Sequence, residues 1–411
     1  MQLTIDRLGA QGDGIANGPR GPVYVQFALP GEVINAAVDK ERGTLIALLE
    51  ASPSRVEPSC RHFTECGGCT LQHLADADYC AFKRDRVMQA LKRERIEADV
   101  EEIVTCAPRS RRRVTLTGRR TEKAMLLGYN RMQSHEIIDI EECPIALDEI
   151  VEALPRIKAL AASLTTSAKP FHVTVTATET GLDVAFSDIE KLSDERRRAA
   201  SHEALTQDVA RLTVDGETIV EHRRPVIRFG EVEVSPPSGE FLQAVASAEA
   251  AMADMVMAHL AKAKRVADLF SGSGAFALRL GARSEVHAIE GEAAALAALD
   301  RGFRFAKGMR RITLEKRDLF RRPLTFKELN AFDGVVFDPP RAGAEDQSRQ
   351  LARSDVPLVA AVSCNPQTLA RDLRILMDGG YKLKSVTPVD QFLWSGHVEA
   401  VALLEKPKKR R

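Results

Sequence analysis

The residue in this sequence best placed to act as a nucleophile is Cys364, in Ser363-Cys364-Asn365-Pro366. The apolar run Leu358–Ser363 reads as a strand, and Pro366 is a favoured first-turn residue of a helix. The positive end of that helix is expected to lower the thiol pKa. A second motif, Asp338-Pro339-Pro340-Arg341-Ala342-Gly343, closes the preceding strand candidate, Gly334–Asp338. In an open α/β sheet both motifs face the crevice outside the carboxyl ends of the strands. Glu399, in Gly396-His397-Val398-Glu399-Ala400-Val401, interrupts an apolar edge strand, where a carboxylate is costly to bury without purpose. A cysteine with a carboxylate suits addition–elimination chemistry: a thiolate adds, a base removes a proton, and the thiolate leaves. The competing readings are a packed apolar cysteine and a solvent-facing glutamate. The place of Cys364 at the sheet's carboxyl edge, beside Asp-Pro-Pro-Arg, favours the nucleophile.

A cofactor site is legible just upstream. Asp268-Leu269-Phe270-Ser271-Gly272-Ser273-Gly274 closes the strand candidate Arg265–Phe270, and Gly272 and Gly274 let backbone approach a ligand closely. Glu290 ends the next strand, where a carboxylate can accept from ribose hydroxyls. A dinucleotide fingerprint needs glycine at 277, and Ala277 stands there. Asp318, after the third strand, is placed to meet an adenine amino group, and Asp338 to border a sulfonium. Carboxylates suit a cation and repel a pyrophosphate, so the reading is S-adenosylmethionine rather than NAD.

The elements that position these residues follow from the pattern. From about residue 240, apolar strand candidates (Arg265–Phe270, Glu285–Glu290, Ile312–Arg317, Gly334–Asp338, Leu358–Ser363) alternate with helical segments, which predicts a doubly wound α/β, Rossmann-like sheet over 236–411. Lys382–Val389 and Val398–Leu404 have no helix between them and are expected to pair as a hairpin at the sheet edge. Residues 1–52 alternate short β-type runs with glycine turns, which predicts a small β-barrel. Residues 53–235 form a central α+β region. Its helix, about 76–95, carries Tyr79, Phe82, Val87, Met88 and Leu91 at helical spacing and is a candidate to pack on the C-terminal domain. Residues 145–235 carry no functional signal.

Bulk properties exclude some classes. The 411 residues are 44% hydrophobic and 28% charged, and no apolar run reaches the roughly 20 residues a bilayer helix needs. Met1-Gln2-Leu3-Thr4-Ile5 lacks a signal peptide's apolar core, so a cytoplasmic monomer is expected. Lys plus Arg and Asp plus Glu are both 58, so net charge is silent about a polyanionic partner. Clustering is not silent: Arg109, Arg111, Arg112, Arg113, Arg119 and Arg120 lie close together, and the chain ends Lys-Pro-Lys-Lys-Arg-Arg. Such clusters suit phosphate contacts, or else are solvated faces.

Seven cysteines in a large intracellular chain do not form a disulfide framework. Cys60, Cys66 and Cys69, joined by Cys143, offer four thiolates with a single Cys-x2-Cys knuckle, whereas zinc ribbons use two. The Cys-x3-Cys-x2-Cys run of radical enzymes is also absent. The irregular spacing fits a four-iron cluster better than zinc, with unligated buried cysteines as the other reading.

Together these motifs resemble the bacterial RNA uridine-C5 methyltransferases, with their Asp-Pro-Pro-Arg-x-Gly, Ser-Cys-Asn-Pro and terminal His-Val-Glu. The resemblance implies that Cys364 adds to carbon 6 of a uracil, activating carbon 5 towards the methyl sulfonium, and that Glu399 removes the carbon 5 proton. It also implies that Gln243, Phe270, Ala275, Glu290, Asp318 and Asp338 line the cofactor. Cys66-Gly67-Gly68-Cys69-x-Leu71-Gln72-His73 with Glu142-Cys143-Pro144 looks like the 4Fe–4S site of the large-subunit rRNA branch. Ala28-Leu29-Pro30-Gly31-Glu32 resembles the TRAM barrel, an RNA-binding module. The tRNA branch typically lacks both, so 23S rRNA is the expected partner, with Arg109–Arg120 gripping phosphates and Tyr129 or Phe63 stacking on bases. Three departures stand out: Ala361 or its neighbours stand where the family often has Tyr two residues before Ser-Cys, Leu393-Trp394-Ser395 replaces Pro-His-Thr, and Ala275 stands where a polar residue is common. The rival readings are a tRNA uridine-C5 methyltransferase, an amino-directed methyltransferase, and a non-catalytic RNA-binding protein. Amino-directed enzymes usually follow Asp-Pro-Pro with an aromatic residue, where Arg341 stands here.

Overall fold

The computed structural model describes residues 1–407. At the N-terminus five strands close into a barrel in the order Gln2–Leu8, Gly14–Gly18, Gly21–Val25, Arg42–Glu50, Val33–Asp39. Leu3, Ile5, Val23, Val25, Ile34 and Ala36 fill its interior at the period-two spacing of a pleated strand. Gly14 permits the closure, since a Cβ there would lie 2.6 Å from the Ala28 carbonyl oxygen.

The central region is a seven-stranded sheet in the order Glu217–Glu221, Arg211–Val214, Gly181–Ser187, Phe171–Thr178, Arg113–Arg120, Met125–Asn130, Ile137–Asp139. Helices Leu154–Leu164 and Asp194–Thr206 contribute to its core through Ile157, Leu160, Ala200 and Ala204.

The C-terminal sheet has eight strands in the order Ile312–Lys316, Glu285–Glu290, Arg265–Leu269, Gly334–Phe337, Leu358–Ser363, Glu399–Glu405, Lys382–Asp390, Val104–Thr105. The first five are parallel, joined by segments containing the helices that their long crossovers require. The last two long strands pair antiparallel, as their connection by a short loop predicts. They do not end the sheet, however. Val104 pairs with Val389, so two residues from the central region supply the outermost strand. Among the described residues no helix is long and apolar enough to cross a membrane.

Helix Asp76–Arg93 crosses from the N-terminal half into this sheet's packing. Val87, Ala90 and Leu91 join the core that holds Phe337, Leu369 and Leu373. Polar anchors fix the same helix. Fully buried Lys83 donates to Asp390 Oδ1, to the Phe392 carbonyl at 2.9 Å and to the His397 carbonyl at 2.6 Å. Tyr79 donates to Asp390 Oδ2 at 2.6 Å and accepts from the Trp394 N–H at 2.7 Å. Asp390 is fully buried, and breaking a buried pair by removing one partner costs about 3–5 kcal/mol. This helix therefore holds the 391–398 loop, which leads directly into Glu399.

Candidate active site

Strand register gathers the three groups that the motifs offered. Phe337 pairs with Ala361, and Ser363 pairs with Ala400. Asp338, Cys364 and Glu399 therefore emerge at one end of three adjacent strands. The loops are tied together there: the Asn365 amide donates to the Arg341 carbonyl at 3.1 Å, and Thr368 Oγ1 donates to it at 3.3 Å. Asn365 also accepts from the Gln367 N–H at 3.1 Å, capping helix Pro366–Asp378.

The Cys364 thiol is not acidic in this setting. Burial, then the Glu399 and Asp338 carboxylates, push its pKa up to about 11, with Arg341 opposing. The helix N-terminus read from Pro366 is present, but burial and two nearby negative charges outweigh it. Glu399 is 2% exposed, and burial followed by the Asp338 charge lifts it to about 8. Burial likewise lifts Asp338 to about 7.

A chain of side-chain amides joins the two carboxylates. Gln243 Nε2 donates to Asp338 Oδ2 at 3.0 Å; Gln391 Nε2 donates to Gln243 Oε1 at 2.6 Å and to Glu399 Oε1 at 2.7 Å. The second Glu399 oxygen is buried without a hydrogen-bond partner. Such an atom is expensive unless a ligand or substrate group meets it.

Gln243 apart, the residues expected to line the cofactor lie at the carboxyl ends of the neighbouring strands. Gly272 has φ +53°, and a Cβ built there meets nothing within 4 Å, so its face is open to a ligand. Gly274 has φ +100° and admits no larger residue, because its Cβ would lie 2.8 Å from Leu299 Cγ. Phe270 holds a left-handed φ of +61°, a strain of about 1–3 kcal/mol that tends to mark functional sites. Its ring lies 5.4 Å from that of half-exposed Phe320. Glu290 accepts from the N–H groups of Gly272 (2.9 Å), Gly291 (2.6 Å) and Glu292 (2.9 Å). It thus braces the glycine loop and keeps about one of a carboxylate's roughly four acceptor positions unused. Exposed Asp318 accepts from the Phe320 N–H at 3.0 Å and the Arg321 N–H at 3.2 Å. Ala275 contributes its carbonyl to Arg279 at 2.7 Å. Asp268, fully buried near Asp338 and Glu290 and pushed well up by burial, was not singled out from sequence.

Cys60, Cys66, Cys69 and Cys143 line one pocket with Phe63, Tyr129 and Ile145. The Gly68 N–H donates to Cys66 Sγ at 3.4 Å. Burial pushes Cys66 to about 11 and Cys69 to about 12. Among the described residues no group of three or more His, Cys, Asp or Glu is gathered as the ligands of a metal ion. The pocket adjoins the active-site loop: the Thr70 and Leu71 N–H groups donate to the Trp394 carbonyl at 2.8 and 3.0 Å.

The RNA-gripping expectations need correction. Arg112 is 8% exposed; it pairs with Glu249 at 2.6 Å and donates to the Gln243 carbonyl at 3.1 Å. Arg279 reaches the other oxygen of Glu249 at 2.9 Å. Arg113 donates to the Gly239 carbonyl at 3.0 Å and Arg120 to the Thr165 carbonyl at 3.2 Å. Arg112 and Arg113 thus brace the segment that carries Gln243, and Arg120 ties its strand to the end of helix Leu154–Leu164. Of the six, Arg109 alone is an exposed residue, its guanidinium paired with Asp148 at 2.6 Å, while Arg111 and Arg119 are half-buried. Phe63 packs on Phe27 and His73, and Tyr129 lines the cysteine pocket, so neither ring is set out for base stacking. The basic residues 408–411 lie outside the described residues.

Comparison with known proteins gives the family. Residues 306–407 match the tRNA (Uracil-5-)-methyltransferase family. An RNA methyltransferase of Mesorhizobium japonicum is 62% identical over 410 residues, covering 100% of this chain and 99% of the relative. A 23S rRNA (uracil(1939)-C(5))-methyltransferase of Halomonas elongata is 31% identical over 451 residues, covering 100% of this chain and 90% of the relative. The chain belongs to the RNA uracil-C5 methyltransferase family. Its fold is also that of the tRNA (uracil-54, C5)-methyltransferase of Pyrococcus abyssi, solved in complex with S-adenosyl-L-homocysteine. That match has a TM-score of 0.78 and 23% identity, and covers 98% of this chain and 99% of that one.

Within this RNA uracil-C5 methyltransferase, the Leu393-Trp394-Ser395 departure has a structural use. Leu393 and Trp394 pack against Leu71 and Tyr79 on one side and against the cysteine pocket on the other. Gln391 was missed because nothing in its local sequence marks it; only the fold brings it between Gln243 and Glu399.

Proposed function

We propose that this enzyme transfers a methyl group from S-adenosylmethionine to carbon 5 of a uridine in 23S rRNA, with Cys364 as nucleophile and Glu399 as base. The observation that carries the reading is the convergence of Cys364, Asp338 and a buried Glu399 with one unpartnered oxygen at one end of three neighbouring strands. Family membership supports the uracil chemistry. The full-length relative named for 23S rRNA favours that RNA over tRNA.

The open face at Gly272 and the carboxylates Glu290 and Asp338, each with acceptor positions left beyond its own hydrogen bonds, fit a cationic nucleoside. When bound, S-adenosylmethionine supplies the methyl group on a sulfonium, whose positive charge also offsets Asp338, one of two carboxylates that hold the Cys364 thiol up. The target base leaves its stack to enter the crevice. Cys364 gives up its thiol proton to solvent and adds to carbon 6 as the thiolate, and the electron pair of the 5,6 double bond gathers on carbon 5 and the carbonyl oxygen of carbon 4. Carbon 5 takes the methyl group. Glu399 then removes the remaining carbon 5 hydrogen as a proton, the double bond re-forms, and Cys364 leaves as a thiolate. In this reading 1–52 is a TRAM-like RNA-binding barrel, 53–235 a central domain and 236–411 the methyltransferase domain, acting in the cytoplasm.

Purified protein given methyl-labelled cofactor is expected to place 5-methyluridine in 23S rRNA transcripts. Label in tRNA alone would move the substrate to tRNA, and label in neither would remove the function.

The same reading gives Cys60, Cys66, Cys69 and Cys143 to a 4Fe–4S cluster. The shared pocket and the Gly68 N–H on Cys66 sulfur support it, and a cluster spreads its four thiolates wider than a single ion would. Protein prepared without oxygen should be brown, with thiolate-to-iron absorption that Cys69→Ser removes. A colourless protein holding one zinc per chain would refute the cluster.

A further inference from the structure

The amide of Gln391 lies between the two carboxylates of the site, and its orientation is not free. The Ala244 N–H can only donate, and it lies 3.1 Å from Gln391 Oε1. Nε2 must therefore face the other way, with one hydrogen on Gln243 Oε1 and the other on Glu399 Oε1. Gln243 is turned in consequence: its oxygen is occupied, so its own NH2 group points at Asp338. One main-chain donor thus sets two side-chain amides so that each presents N–H to a carboxylate. Gln391 is 2% exposed and Gln243 5%, so water does not compete for these bonds.

We propose that Gln391 is a positioning residue for Glu399, engaging one carboxylate oxygen with an N–H donor that favours the ionised form, so that the other oxygen is free to take the carbon 5 proton. The proposal rests on the methyl transfer to uridine set out above. The arrangement divides the carboxylate. Oε1 is engaged by Gln391, and Oε2 is buried and unpartnered, so Oε2 is the oxygen that meets the substrate proton. The groups acting on Glu399 are few: burial and Asp338 favour its protonated form, whereas the Gln391 amide and Arg341 favour its charged form. Cys364, on the adjacent strand end, is close enough for Glu399 to raise its thiol pKa. Gln391 is the group that bonds Glu399 directly, and through Gln243 it also spaces Glu399 from Asp338.

The test is the pH dependence of the proton-removal step, followed in single turnover as loss of the methylated protein–RNA adduct. In the wild type this rate should rise with pH until Glu399 is ionised. Gln391→Met fills the space without donating. Its acid limb is expected to move up by about one pH unit, making the step about tenfold slower below the limb. Measured at saturating S-adenosylmethionine, because Gln391 also orients Gln243 beside the cofactor site, formation of the methylated adduct should be no slower than in the wild type. Methylated adduct should therefore accumulate in Gln391→Met at neutral pH and drain as pH is raised. A folded Gln391→Met with an unmoved limb and no accumulation overturns the proposal. If circular dichroism shows that variant unfolded, Gln391→Asn decides by the same readout, since it keeps an amide with a shorter reach and should show the shift in smaller degree. A wild type that makes no 5-methyluridine at any pH would instead remove the underlying function, a result distinct from a working enzyme whose variants are unshifted.

Discussion

Glu399→Gln protein incubated with substrate RNA and methyl-labelled cofactor is expected to yield a protein–RNA band that survives a denaturing gel and carries the label. The substitution leaves Cys364 addition and methyl transfer in place but removes the acceptor for the carbon 5 proton, so the adduct cannot resolve. The site should tolerate the change. A glutamine can turn its carbonyl oxygen to the Gln391 amide, where Glu399 Oε1 now accepts at 2.7 Å, and place its NH2 group in the unpartnered position. It should even help the first step, because the Glu399 carboxylate is the largest charge holding the Cys364 thiol at about 11. Relieving it makes thiolate easier to form. A Glu399→Gln enzyme that turns over freely and leaves no adduct would show that another group removes the proton.

Cys364→Ala should reduce turnover by about 10⁵-fold or more, the scale seen when a covalent nucleophile is deleted. Calorimetry should show cofactor affinity near wild type, since Gly272, Glu290 and Asp338 are untouched. The double variant Cys364→Ala/Glu399→Gln should form no adduct, and its rate loss should fall far short of the product of the single losses, because both residues serve one sequence of steps. Substantial uridine methylation by Cys364→Ala would exclude covalent catalysis by this residue.

Much of the site was legible because its parts are local. Ser363-Cys364-Asn365-Pro366 announces a strand end and a helix start in four residues, and the strands on either side of Asp338 follow from apolar runs. What was not legible lies between elements. A helix N-terminus is a local feature, and it led to an acidic thiol for Cys364. The carboxylates that reverse the shift arrive from separate strands, and only register brings them there. Arg112 looked like part of a basic surface because neighbouring arginines are visible in sequence, whereas Glu249, its buried partner, lies 137 residues away. The outermost strand, Val104–Thr105, is two residues long and far in sequence from the sheet it completes, so no periodicity marks it.

The Lys83–Asp390 pair also has a consequence for how the chain is made. The two residues are separated by 307 positions. At a synthesis rate of about 5–20 residues per second, Lys83 is added to the chain roughly 15–60 s before its partner exists. For most of that interval helix Asp76–Arg93 has neither its counter-charge nor the apolar bed formed by residues 337–373. The barrel can close early on its own strands, but the active-site loop can be set only after almost the entire chain has been translated. The nascent protein thus carries an unsheltered amphipathic helix for most of its synthesis, a natural point for a chaperone to act and for a truncated product to aggregate.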